Sequence, residues 1–186
     1  MKSNKKQSMD TIEQRLNALG YSLPPAMKVP AGITLPFSMV RVIGNRALIS
    51  GHGPQAPDGA PTAITGTIGD NLTVEDGYYA AQLTGLSILG SLKRTLGSLD
   101  RIACWGKILG MVAAVPDFEH HPNVINGFSD LIIQLFGEEK GQHSRSAVGM
   151  ASLPFGIPVE IEGEVMLYPS SAEPHLTSAH AGESSL

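Results

Sequence analysis

Ile12, Leu16 and Leu19 recur at helical spacing behind a polar N-terminus, and Asp10 to Glu13 has the residues of a capping box. The spacing predicts a helix of about ten residues that Gly20 stops, short enough to need a packing partner. Ser22 to Pro36 carries Pro24, Pro25, Pro30 and Pro36 and is expected to run as an extended linker. Alternation then replaces the helical period. Ser38 to Ile43 and Arg46 to Ser50 read as two strands around Gly44-Asn45, a dipeptide suited to a type II′ hairpin turn. Ala63 to Ile68, inside a Gly- and Pro-rich stretch, is expected to add a short strand.

Thr73 to Asp76 forms a second capping box and opens the longest predicted helix, which Gly97 ends. Val74, Tyr78, Ala81, Leu89, Leu92 and Leu96 supply its apolar stripe, and Gly77, Gly85 and Gly90 are expected to pack closely against a sheet. Arg101 to Val115 reads as a strand that Pro116 breaks. A second long helix runs from about Pro122 to Phe136, burying Val124, Phe128, Leu131 and Leu135, and Gly137 terminates it. Two strands follow, 145–153 and 159–167. In the second, Glu160, Glu162 and Glu164 share one face, while Val159, Ile161, Val165 and Leu167 take the other.

The predicted class is α+β: a two-layer sandwich, with a mixed sheet, two long helices on one face and a short N-terminal helix. Strand 101–115, the helix after it and strand 145–153 make a crossover that leaves the two strands parallel. The other sheet face stays uncovered, which points to oligomerisation. Residues 1–35 are expected to be a helix and linker, 36–168 the main domain, and 169–186 a disordered tail.

At 186 residues and 42% hydrophobic, the chain can bury a real core. Its net charge of −4 argues against general nucleic-acid or anionic-membrane binding. The basic N-terminus leads into no apolar run, so no secretory signal is expected and the cytoplasm is the default. Cys104 is the single cysteine and reads as a small core residue; no metal site or cofactor is expected. His120, His121, His143, His175 and His180 read as solvated loop residues. His52, at the end of a hairpin strand, could reach a pocket.

Arg145 stands among Ala147, Gly149 and Ala151. It reads either as an ion-pair partner of a glutamate or as a bidentate clamp for a ligand carboxylate. If the last two strands formed a simple hairpin, Glu160 would lie roughly 20 Å from Arg145. A shared site then needs another strand arrangement or a second chain.

Ser50-Gly51 after the hairpin, Asn126 in the second long helix, HSRSAVGMASLP from His143 and VEIE from Val159 together resemble the Rid family. This family is also called YjgF-like or L-PSP endoribonuclease-like, and its better-known members are enamine/imine deaminases. The likeness covers about Pro36 to Leu167. It implies a chorismate-mutase-like fold and a homotrimer with clefts between subunits. It implies that Arg145 grips a substrate carboxylate, that Glu160 positions water, and that Asn126 and Gly51 line the pocket. Phe37 stands where deaminase members have tyrosine, His52 where many have glutamine, and Ala147 where many have cysteine. The implied activity is hydrolysis of small 2-imino or enamino acids to 2-oxo acids and ammonia. The alternatives are a non-catalytic trimer that binds a small carboxylate-bearing metabolite and, third, a ribonuclease.

Overall fold

The structure, a computed structural model, describes residues 11–28, 32 and 34–169. Along the chain come α1 (Ile12–Ala18), β1 (Val40–Ile43), β2 (Arg46–His52), α2 (Val74–Leu96), β3 (Ile102–Ala113), α3 (His121–Gly141), β4 (Ser144–Met150) and β5 (Val159–Leu167). The strands form one mixed sheet in the order β1-β2-β5-β3-β4. Strands β3 and β4 are parallel and joined through α3, as the crossover predicts, and the other neighbours are antiparallel. The α+β class, with one short and two long helices, is the one the periodicities predict.

The last strand is the informative departure from a local reading. Strand β5 does not fold back on β4; it runs between β2 and β3, and β4 lies at the edge. Burial explains this placement. Val159, Ile161, Val165 and Leu167 are all buried and need apolar neighbours on both sides, which a central position provides. Strand β4 is largely exposed along its second half, as suits an edge.

Helix α2 begins as its capping box predicts. The Thr73 N–H donates to Asp76 Oδ2 (2.9 Å), and the Asp76 N–H donates to Thr73 Oγ1 (3.1 Å). Its interior glycines do pack closely, but chiefly not against a sheet. A side chain at Gly77 would meet Ile68 and Val124, one at Gly85 would meet Leu131 and Phe128, and one at Gly90 would meet the Pro24 carbonyl. Most of the contact is thus with α3, which answers with Gly127 against the Tyr78 carbonyl. Two facing glycine patches let the helices approach within backbone contact. Gly137 (φ +76°) interrupts α3 where its termination was expected, and one further turn follows.

Helix α1 has seven residues, and its N-cap is Thr11, not Asp10, with Gln14 in place of Glu13 at the third position. Asp10 lies outside the described residues, as do the first nine residues, Pro30, His175, His180 and the tail beyond Pro169. Ile12 and Leu16 are buried, whereas Leu19 is exposed. Glu13 is drawn out of the expected cap by Lys93 (2.5 Å) and the Leu99 N–H (3.0 Å). Arg15 donates to the Leu135 carbonyl at 2.9 Å, so the short helix has its packing partner.

Two smaller expectations change. Residues 63–68 form no strand; Ile68 alone bridges to Leu72 and Ala114. Cys104 is only partly buried, beside an irregularity between β3 and β5 that shifts the alternation. The hairpin turn keeps its predicted chemistry, with Gly44 at φ +57° and Asn45 at negative φ. Among the described residues no helix is long and apolar enough to cross a membrane.

Candidate functional site

Arg145 sits on the edge strand, level with Ile108 of β3. Ile108 is fully buried on the helix side of the sheet, so the arginine also points towards α3. The first turns of α3 receive it. Nη1 donates to Asn126 Oδ1 and Ser129 Oγ, both at 2.9 Å, and Nη2 reaches the Pro122 carbonyl at 3.4 Å. Among the described residues it has no carboxylate partner within ion-pair distance, and its Nε–H makes no hydrogen bond. The side-on edge of the guanidinium, Nε–H with Nη2, is therefore the part left to grip a planar anion. The small residues after it serve packing as much as access: a side chain at Gly149 would strike the His121 ring.

Glu160 occupies the opposite face of the sheet. It is level with Met111, three residues from Ile108 and hence of opposite orientation, and its neighbours Val159 and Ile161 are buried on the helix side. Its carboxylate lies directly over Gly51, where any side chain would overlap Oε1. Gly51 falls in the irregularity that interrupts β2–β5 pairing between Ile49 and His52. Burial, and then the nearby charge of Glu162, push the Glu160 pKa above the ordinary carboxylate range. A cleft of about 540 Å³ on this side is lined by Phe37, Ser38, Arg41, Ser50 and Glu162 among others. Phe37 is 54% exposed over it.

Of the pocket residues suggested by the sequence, the structure brings Arg145 together with Asn126, and Glu160 together with Gly51; Phe37 lines the cleft on the Glu160 side. The two groups do not meet within one chain. Arg145 and Glu160 are three residues apart along the sheet and two strands apart across it, roughly 14 Å between backbones, on opposite faces.

His52 joins neither group. It is level with Ile161 and 3% exposed, buried under α2. Its Nδ1–H donates to the Ser50 carbonyl (2.6 Å), and its Nε2 accepts from Ser91 Oγ (2.9 Å). Burial, with Arg94 adding to it, lowers its pKa to about 4. An unfolded histidine takes its proton near 6.5, so the unfolded chain protonates first. The stability contributed by neutral His52 is complete above about pH 6.5 and is lost as pH falls towards 4, about 3 kcal/mol in all. Urea denaturation at pH 7 and pH 4.5 should resolve that loss, and His52→Gln should shrink it; an equal slope in both proteins refutes the assignment.

Ser129 and His143 were missed by local reading. His143 was expected to be solvated, but it is only partly exposed and bonded through both nitrogens. The available signal was the recurrence of Pro122, Asn126 and Ser129 on one face of a helix, i, i+4, i+7. Among the described residues no three His, Cys, Asp or Glu side chains gather in a way that could hold a metal.

The family described as "YjgF/chorismate_mutase-like, putative endoribonuclease" matches residues 13–158. The chain is 38% identical over 156 residues to protein TCP17 of Trypanosoma cruzi, covering 84% of this chain and 94% of that one. Among solved structures, it is similar to a protein of unknown function from Agrobacterium tumefaciens, at 39% identity and a TM-score of 0.74, covering 85% of this chain and 92% of that one. A Shewanella oneidensis structure with the same endoribonuclease description matches at 28% identity and a TM-score of 0.76, covering 85% and 100%.

Proposed function

The chain belongs to the YjgF/chorismate-mutase-like family, and from that premise we propose that it hydrolyses small 2-imino or 2-enamino acids to 2-oxo acids and ammonia. The observation that carries this reading is Arg145: a guanidinium held by neutral oxygens, with Nε–H unbonded and Nη2 engaged only by the Pro122 carbonyl at 3.4 Å, so that its side-on edge can take a carboxylate. The substrate carboxylate docks there. Glu160, its pKa raised, accepts a proton from water as the oxygen adds to the imine carbon and passes it to the nitrogen, and then carries the adduct's hydroxyl proton to the amino nitrogen as the carbon–nitrogen bond breaks. Imine and water give ketone and ammonia. Because an imine is already electrophilic, positioning supplies most of the catalysis.

The separation of Arg145 from Glu160 supports a site completed by a second copy, in which the arginine face of one chain meets the glutamate face of another. A homotrimer does this three times over. Val148, Met150 and Phe37 are apolar, exposed and placed for such contacts. A second reading, binding of a small carboxylate without turnover, is favoured by one feature: Phe37 brings no hydroxyl to the cleft. Ribonuclease action has less support, since His52 and His143 both have their ring nitrogens engaged.

The test is a coupled assay in which an imino acid is generated and its decay followed with and without the protein. Glu160→Gln should lower turnover by roughly a hundredfold or more, the usual contribution of a general base. The same variant should melt no lower than the parent at pH 7, because a carboxyl whose pKa is raised on folding destabilises the folded chain once ionised. That advantage disappears as pH falls below the unfolded glutamate value of about 4.3. Ligand-induced thermal stabilisation without any acceleration of decay would favour the binding reading.

A further inference from the structure

We propose that Ser129 and His143 are positioning residues that lock Arg145 with its Nε–H and Nη2 edge turned to the ligand carboxylate. This rests on the reading of Arg145 as a carboxylate clamp. His143 precedes Arg145 by two residues and Ser129 faces both from α3. Nδ1 of His143 lies 2.8 Å from the Gly141 carbonyl, which can only accept, so the ring carries its proton there. Nε2 is then bare and accepts the Ser129 hydroxyl proton at 3.0 Å. With that proton directed to the ring, the serine oxygen presents its lone pairs to Arg145 Nη1 at 2.9 Å. An arginine cannot accept and a carbonyl cannot donate. The proton order along the row is therefore fixed from both ends.

The consequence is directional. Both Nη1 protons are engaged, one by Ser129 and one by Asn126, so the guanidinium plane cannot rotate without breaking two bonds. Holding a side chain with this much rotamer freedom in advance removes an ordering cost from binding. Phe128 packs edge-on to the His143 ring at 5.6 Å and backs it. Burial and the adjacent Arg145 lower the imidazole pKa, which favours the neutral ring with its acceptor at Nε2.

The chain uses the same arrangement a second time, with its histidine and serine buried. His52 donates from Nδ1 to a carbonyl two residues back and accepts from Ser91, whose oxygen accepts from Arg94 Nη2 at 2.9 Å. There the fixed arginine holds the Pro24 carbonyl at 3.0 Å. At both arginines a second nitrogen reaches a proline carbonyl, at 3.0 Å from Arg94 and at a longer 3.4 Å from Arg145, where the contact is the more easily exchanged for a ligand.

Calorimetric titration with 2-oxobutyrate, a stable small 2-oxo acid, tests the assignment on the full-length protein. Ser129→Ala should weaken binding about tenfold, the scale of one hydrogen bond to a charged group. In the imine assay KM should rise by the same factor, with kcat changed less than about twofold, because positioning acts at docking. Ser129→Thr should restore affinity, and His143→Phe should match Ser129→Ala, with the double variant no worse than either alone. Parental affinity in Ser129→Ala, beside lost affinity in Arg145→Ala, overturns the relay and leaves the clamp standing. Parental affinity in Arg145→Ala overturns both. The imidazole 15N spectrum of the unsubstituted protein gives an answer that does not depend on any variant folding. A His143 protonated at Nδ1 supports the relay, and one protonated at Nε2 refutes it.

Discussion

Arg145→Ala is expected to lower kcat/KM for imine hydrolysis by about 10² to 10³, the effect of deleting one partner of a charge-assisted bidentate pair. It should do so without unfolding the protein. Arg145 is on the edge strand and partly exposed, so water can take over its contacts to Asn126 and Ser129. Arg145→Lys should recover little, since an ammonium has no planar edge to match a carboxylate. A sharper form of the experiment uses two inactive proteins. If each site combines Arg145 of one chain with Glu160 of the next, random subunit exchange between equal amounts of Arg145→Ala and Glu160→Gln should regenerate about a quarter of all sites, one in every mixed trimer. Activity should return on mixing. A mixture whose subunits have demonstrably exchanged but which stays inactive rules out the two-chain site.

Phe128→Ala should be the most damaging single truncation for stability, at about 3–5 kcal/mol. Phe128 is fully buried and lies where α2, α3 and the sheet converge. Its ring packs edge-on against Trp105 at 5.5 Å and against His143 at 5.6 Å, and it fills the space beside Gly85 of α2. None of these neighbours can move in to close the gap: Trp105 is also held by Phe136, and Gly85 has no side chain. For a chain of this size the melting temperature should fall by roughly 10 °C. Because Phe128 also backs the His143 ring, 2-oxobutyrate binding should weaken in whatever protein remains folded. Phe155→Ala is the control; Phe155 is 76% exposed and should shift stability by less than about 0.5 kcal/mol. A loss below about 1 kcal/mol in Phe128→Ala would mean that this junction is not the keystone of the core.

Much of the fold could be read from near neighbours. The Thr73 cap, the Gly44-Asn45 turn, the breaks at Gly97 and Gly137, and the parallel crossover through α3 were all legible. So was the two-faced pattern of β5. All but the crossover depend on residues within a few positions of one another, where backbone sterics, capping hydrogen bonds and side-chain period act directly. Arg145, Asn126, Glu160 and Gly51 were also legible as residues worth placing. Apart from the strand expected at 63–68, the misreadings concern what an element meets. Glu13 left its expected cap for Lys93, the α2 glycines face α3, and His52 turned inward because it shares the helix-side face with buried Ile161. His143 looked isolated because its partner, Ser129, lies fourteen residues away on a different element.

The sequence alone thus determined most of the elements, the class, and an arginine and a glutamate to be placed. Only the tertiary structure decided that they stand on opposite faces of one sheet. Strand order follows from which apolar faces must be covered on both sides, a condition on the whole chain, and it drew β5 into the centre and left β4 at the edge. That one placement separates Arg145 from Glu160 within the chain.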